Sequence, residues 1–177
     1  MNRASLSRVL VALGLLGAFL VAPAPQASAS SFGDMVDYPL TFPVAGKVSY
    51  SDSFYSYRVI SNYNNYHHAQ DLMADKMTPV VAAASGTISY MNGSSNASWS
   101  GGRCCTLRIR HDDGWASVYI HLNNDTPGTD DGQGWGIAPG IEIGSRVEAG
   151  ELIGWVGDSG NAESTAPHLH FELHDPD

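Results

Sequence analysis

Beyond residue 40 the apolar positions rarely recur with helical spacing. They fall instead in short runs of β-branched and aromatic residues, broken every few positions by Gly, Asn, Asp or Ser. Runs of that length between turn-forming clusters are a strand signal. The predicted strands are Lys47–Ser51, Asp71–Met73, Val80–Ala83, Thr87–Met91, Cys104–Arg110, Trp115–Ile120, Leu152–Val156 and His168–Leu173. His111-Asp112-Asp113-Gly114 reads as a tight turn that joins two of them as a hairpin. Pro79, Gly86 and Gly150 fall at strand edges or turns, where they are tolerated. The chain is expected to be all-β, a single antiparallel sheet core of sandwich or barrel-like form. Four polar stretches read as loops: Phe54–Tyr66, Asn92–Gly102, Asn123–Gly140 and Asp158–Pro167. Loops longer than about 12 residues are uncommon unless they have a function or are disordered.

The first segment follows a different pattern. Arg3 and Arg8 precede an apolar run from Val9 to Ala22, and Ala27-Ser28-Ala29 supplies small residues at alternate positions. This is the layout of a secretory signal peptide, with cleavage expected after Ala29. The run is about 14 residues, short of the roughly 20 that span a bilayer. The expected organisation is residues 1–29 as signal peptide, 30–41 as an N-terminal segment and 42–177 as one folded domain. The product would be secreted, with no stable membrane association once the signal is removed.

Chemistry concentrates near the C-terminus. In Ala166-Pro167-His168-Leu169-His170-Phe171-Glu172 two imidazoles stand two positions apart in a predicted strand, so both face one side. Upstream, His67 and Asp71 lie four residues apart, a spacing that returns both groups to one side. His68 competes with His67 for any such role. His121 ends the alternating strand Ser117–Ile120. Taken singly, each histidine is more often a surface or hydrogen-bonded residue. Jointly, two imidazoles and a carboxylate with one open coordination position make the shell of a catalytic zinc ion, since a structural site is usually closed and cysteine-rich.

Here the chain resembles the lysostaphin-type (LytM-like) zinc metallopeptidases, peptidoglycan endopeptidases that cut peptides in bacterial cell walls. The resemblance runs from about Phe42 to Asp177. It is carried by His67-x-x-x-Asp71, Thr78–Ala82 with Gly86-Thr87-Ile88, Tyr119–Leu122, Gly144–Gly150 with Ile153-Gly154, and Ala166–Glu172. It implies that His67, Asp71 and His170 bind one zinc ion and that His121 and His168 form the catalytic pair. It also implies an antiparallel β-core whose loops roof a substrate groove, and peptidoglycan peptides as the partner. Ala69 departs from the family's usual Gly, a change of one methyl. Asn123–Gly140 is longer than the family's usual connection and reads as an added groove wall or a surface insertion. Family members usually run on beyond the position of Asp177, so the expectation is either a fragment truncated at its C-terminus or a last strand unusually close to the end.

Tyr63 and Tyr66 are the phenols nearest His67, in a stretch whose only cation is Arg58. They are candidates for stacking on substrate or for donating to a developing oxyanion. Asp125, Asp130 and Asp131 match no calcium-loop spacing. Cys104 and Cys105 are the only cysteines. Adjacent α-carbons stand about 3.8 Å apart, below the roughly 4.4 Å of an ordinary disulfide, yet export favours oxidation, so both redox states stay open. The formal charge of −9 becomes −11 without Arg3 and Arg8, which leaves no electrostatic footprint for nucleic acid. The alternative to an enzyme is a non-catalytic zinc-binding module that binds peptidoglycan or regulates another wall hydrolase. Such modules usually lose ligands or the catalytic pair, and all five positions are present here.

Overall fold

The computed structural model describes residues 36–60, 63–93 and 105–176, apart from the side chains of residues 60 and 63–65. The expected signal peptide, Cys104, most of the loop Asn92–Gly102 and the side chain of Tyr63 lie outside the described residues. The strands are β1 (Tyr57–Ile60), β2 (Tyr63–Tyr66), β3 (Gln70–Met73), β4 (Pro79–Val81), β5 (Gly86–Asn92), β6 (Thr106–His111), β7 (Ala116–Ile120), β8 (Arg146–Val147), β9 (Leu152–Trp155) and β10 (His168–His174). The one helical element among the described residues is a short 3-10 turn, Gly160–Ala162.

Six strands form an antiparallel sheet in the order β3-β10-β7-β6-β5-β8. The sheet stays open, so the barrel form is not realised. β4 and β9 pair as a second, two-stranded sheet, and β1 and β2 pair as a hairpin. Strand β6 shows why this is a sheet protein: Leu107, Ile109 and His111 are buried while Arg108 and Arg110 are exposed, the two-residue period of a half-buried strand. The apolar sides of both larger units share one core that includes Val80, Ile109, Tyr119, Leu122, Ile153, Val156 and Leu169. Tyr119 is fully buried, and its phenol is satisfied, accepting from the Ala83 N–H at 2.8 Å and lying 2.9 Å from the Ser117 hydroxyl.

Most predicted strands appear within one or two residues. Lys47–Ser51 does not: it reduces to a single bridge, Ser49 to Met73. Only that pair exchanges backbone hydrogen bonds, and Tyr50 stays 65% exposed, so the stretch has little apolar surface to hold it longer. The hairpin β1–β2 falls in a stretch read as loop; Tyr57 and Val59 of β1 are both exposed, Val59 at 75%, so no buried face marks that strand. Strand β8 is two residues long, too short for any periodicity to register. Cys105 is buried and disulfide-bonded; the oxidised state, one of the two left open above, is the one found.

The long segment after His121 is tied to the body of the protein. Lys76 Nζ reaches Asp125 Oδ2 and Asp130 Oδ1 at 2.6 Å and Asp158 Oδ2 at 2.9 Å. Asn123 Nδ2 donates to the carbonyls of Asp125 and Trp135. An ammonium therefore sits among the acidic groups, and its pKa is held well above the usual lysine value by those three carboxylates despite its partial burial. Because Asp125 and Asp158 are both almost wholly buried, Lys76→Met leaves two carboxylates without their cation. A loss of about 3 kcal/mol or more of unfolding free energy is expected, measured by urea denaturation.

Candidate metal centre

Strand β10 lies between β3 and β7 and has two unlike faces. Leu169 and Phe171 enter the core, and His168, His170 and Glu172 point to the other side. The register sets His170 directly opposite Asp71 on β3 and Ile120 at the end of β7. One strand position further on, His121 takes a left-handed backbone with φ of 63°, uncommon for a side chain bearing a Cβ and often found where function holds it. That bend takes its ring out of strand alternation and against His168, with ring centroids 4.9 Å apart. His67 enters from the turn after β2, its ring 4.7 Å from that of His170.

Three atoms meet at the centre. His67 Nε2 lies 3.0 Å from His170 Nδ1 and 3.1 Å from Asp71 Oδ1, and His170 Nδ1 lies 3.3 Å from Asp71 Oδ1. His168 Nε2 stands back at 3.9 Å from the same oxygen. Tetrahedral ligand atoms bonded to zinc at roughly 2.0–2.1 Å stand about 3.3–3.4 Å apart, so the three donors match one face of such a shell.

The hydrogen-bond partners decide which nitrogen of each ring is bare. His67 Nδ1 is 2.8 Å from the Ser53 carbonyl, which only an N–H can approach as a donor, and so Nε2 carries the lone pair. His170 Nε2 donates to Glu172 Oε1 at 3.0 Å, leaving Nδ1 bare in the neutral ring. His121 Nδ1 donates to the Ser159 carbonyl and His168 Nδ1 to the Ala166 carbonyl, both at 2.8 Å, which frees Nε2 on each. The centre thus gathers two imidazole lone pairs and Asp71 Oδ1, a buried oxygen with no hydrogen-bond partner of its own. Three electron-rich atoms this close repel one another unless a cation or a proton sits among them. The donor set and spacing fit zinc.

The protonation energetics agree. Burial pushes the Asp71 carboxyl up, but the facing His170 ring and the hydrogen bond from Arg58 more than offset this and hold it well below the usual range. Burial pulls His170 down, yet Asp71 and Glu172 raise it above the ordinary histidine value, so the ring holds a proton to higher pH than a free imidazole does. Burial is the main reason that His121 is depressed to about 4, helped by the neighbouring rings of His168 and His170. His121 is therefore neutral at ordinary pH.

With this geometry in view, the comparison with known proteins is direct. The profile of Peptidase family M23 matches residues 65–177, which include all five candidate residues. The chain belongs to peptidase family M23. It is 34% identical over 109 residues to lysostaphin of Staphylococcus staphylolyticus, covering 60% of this chain and 18% of that protein. Over 127 residues it is 29% identical to the peptidoglycan DD-endopeptidase ShyC of Vibrio cholerae, covering 66% of this chain and 24% of that one. Among solved structures, the antimicrobial peptidase lysostaphin from Staphylococcus simulans aligns with a TM-score of 0.50 at 28% identity, over 73% of this chain and 44% of that one. A zinc containing peptidase from Vibrio cholerae shares the fold, with a TM-score of 0.55 at 21% identity over 76% and 36% of the two chains. The chain spans a quarter or less of the length of these curated relatives.

Within the M23 domain His67 and His68 are placed differently. His67 is buried in the centre, whereas His68 turns outward and stacks on Tyr55 at 5.4 Å. Tyr66 is 48% exposed, stacks on Tyr55 at 4.7 Å, and shares a cleft with Arg58, His68 and His170. Several supporting residues escaped the sequence reading. Glu172 orients His170, the Ser159 carbonyl orients His121, and Arg58 holds Asp71. Gly157 links the two outer histidines: its N–H donates to the His121 carbonyl and its carbonyl accepts from the His168 N–H, both at 3.0 Å. A Cβ there would stand 2.3 Å from Asn123 Cα, so only glycine permits this approach. Glycine between strands was the available signal, but it reads equally as a plain turn.

Two outcomes follow from this geometry. Gly157→Ala forces the segment carrying His121 away from β10, and a loss of roughly 1–3 kcal/mol is expected in thermal or urea unfolding. Zinc competes with the proton whose binding to His170 is favoured by Asp71 and Glu172, so affinity should fall as the pH is lowered, and calorimetry in buffers of differing ionisation enthalpy should show proton release growing in the same direction.

Proposed function

We propose that this chain is the catalytic domain, residues 42–177, of a secreted zinc metalloendopeptidase that hydrolyses peptide bonds in peptidoglycan cross-bridges or stem peptides. The observation that carries this reading is the meeting of His67 Nε2, Asp71 Oδ1 and His170 Nδ1 within 3.3 Å of one another, beside two further imidazoles whose Nε2 atoms are free. Membership of a peptidase family supports the class of reaction. The names of relatives, lysostaphin and a peptidoglycan DD-endopeptidase, support the cell wall as its location and the source of its substrate.

In this proposal His67, Asp71 and His170 hold one zinc ion. When bound, the ion would act as a Lewis acid on the scissile carbonyl and make a water molecule acidic enough to attack near neutral pH. The remaining chemistry belongs to the protein. His121 and His168 both keep a lone pair on Nε2, fixed there by the carbonyls of Ser159 and Ala166. One of them takes the proton of the attacking water, and the other faces the developing oxyanion or protonates the leaving amine. Tyr66 offers a phenol and a ring face to substrate at the edge of the cleft; the other tyrosine candidate, Tyr63, lies on the same strand. The predicted signal peptide at residues 1–29 supports export.

Fragments released from purified, cross-linked peptidoglycan, identified by mass spectrometry with zinc supplied and with zinc removed by a chelator, test the reading. Release that requires zinc is the expected result. His121→Asn, chosen because Asn tolerates a left-handed backbone, should keep stoichiometric zinc and lose at least about 100-fold in rate, as expected for a missing acid–base group. Asp71→Ala should lose the metal as well. Full turnover by the His121 variant would overturn the role given to that residue. A zinc-loaded wild type that releases nothing from any wall would favour the non-catalytic module.

A further inference from the structure

The two oxygens of Asp71 have different surroundings. Oδ1 is buried, lacks a hydrogen-bond partner and faces His67 and His170. Oδ2 is bonded to Arg58 Nη2 at 2.5 Å. Arg58 comes from β1, in the hairpin over the centre, and its side chain is 36% exposed against 12% for Asp71. The hairpin is itself latched near the centre: Tyr55 N–H donates to the His67 carbonyl at 2.6 Å and His67 N–H to the Ser56 carbonyl at 2.9 Å. One guanidinium N–H thus engages the outer oxygen of a carboxylate whose inner oxygen is aimed at the metal position.

A carboxylate can bind a metal through one oxygen or two. With two, Asp71 would fill the corner that a catalytic zinc site must leave open. A charge-assisted hydrogen bond to the outer oxygen opposes this, because rotating Oδ2 toward the ion breaks it. From this arrangement we infer that Arg58 is a positioning residue that restricts Asp71 to one-oxygen ligation and so keeps the fourth corner of the site free. The inference rests on the zinc-site reading above and adds a residue outside the ligand and proton-transfer sets. It also gives the β1–β2 hairpin a chemical task. Arg58 acts through Asp71 and not on the substrate.

The test uses cobalt(II) in place of zinc, since the visible absorption of cobalt is strong when four-coordinate and several-fold weaker when five-coordinate. Wild type, Arg58→Met and Arg58→Lys are each loaded with one equivalent of cobalt or zinc, and metal content is measured by mass spectrometry. The expected result is that Arg58→Met keeps one equivalent of either metal, its cobalt absorption falls at least two-fold, and its zinc-dependent peptide release slows about 10-fold or more. Arg58→Lys, which retains a cationic donor, should return part of the absorption. An Arg58→Met protein with the wild-type cobalt spectrum overturns the inference while leaving the zinc site intact. Loss of metal by Arg58→Met also overturns it, because Arg58 would then be needed merely to assemble the site. A wild type that takes up neither metal overturns the zinc-site reading itself.

Discussion

Two imidazole lone pairs and one carboxylate oxygen are held within 3.3 Å of each other at the middle of the structure. Without a positive charge among them, that arrangement is repulsive, and the fold has to impose it. Strand pairing imposes most of it. Asp71 and His170 are direct neighbours across β3 and β10, so their side chains leave the sheet on the same face at pairing distance. On the opposite face of the same two strands, Leu72 and Leu169 pair and enter the core. Burial of the leucines fixes the register, and the register sets the ligands side by side. A slip of one residue would send the histidines inward and the leucines to the site.

The outer hydrogen bonds complete what the register begins. Each of the four histidines is held by an acceptor on the nitrogen away from the centre: the carbonyls of Ser53, Ser159 and Ala166, and the carboxylate of Glu172. The acceptors select a tautomer and stop the rings from turning, which is how second partners tune a metal site. The same logic extends to Asp71, with the sign reversed, since its partner Arg58 is a donor. Gly157 supplies the mechanical link between the outer histidines by a backbone approach no larger residue could make. His121, with its positive φ, shows where the chain accepts local strain to bring a ring into place.

Segments that carry no candidate ligand also bear on the centre. The stretch from Asn123 onward follows directly after His121, and Lys76 ties Asp125 of that stretch to Asp158, next to the Ser159 that orients His121. Cys105 N–H donates to Ser159 Oγ at 2.6 Å, so the disulfide-bonded residue of the core is one contact away from the same serine. Tyr66 of the hairpin lines the cleft and is backed by the rings of Tyr55 and Tyr57.

The all-β class, most strands and the shared face of His168 and His170 left local marks in the sequence, whereas His121 and the choice of His67 rested on the family resemblance. Two-residue alternation announces a half-buried strand, and His168 with His170 or His67 with Asp71 announces a shared face. The hairpin β1–β2 was not legible, since Tyr57, Val59 and Tyr66 are exposed and mark no buried face. Nor was the bridge that replaces the strand expected at Lys47–Ser51. Between His67 and His68 the residue types were equal, and only the three-dimensional path of the chain decided that one is buried at the centre and the other stacks outward. Arg58, Gly157, Ser159 and Glu172 act through contacts that depend on orientation across the sheet or along one strand face. Sequence settled which chemical groups this protein could bring to bear, since side-chain identity and local spacing are written in it. Tertiary structure decided which nitrogen of each ring is bare and which oxygen of Asp71 faces inward, because both depend on partners that folding brings together.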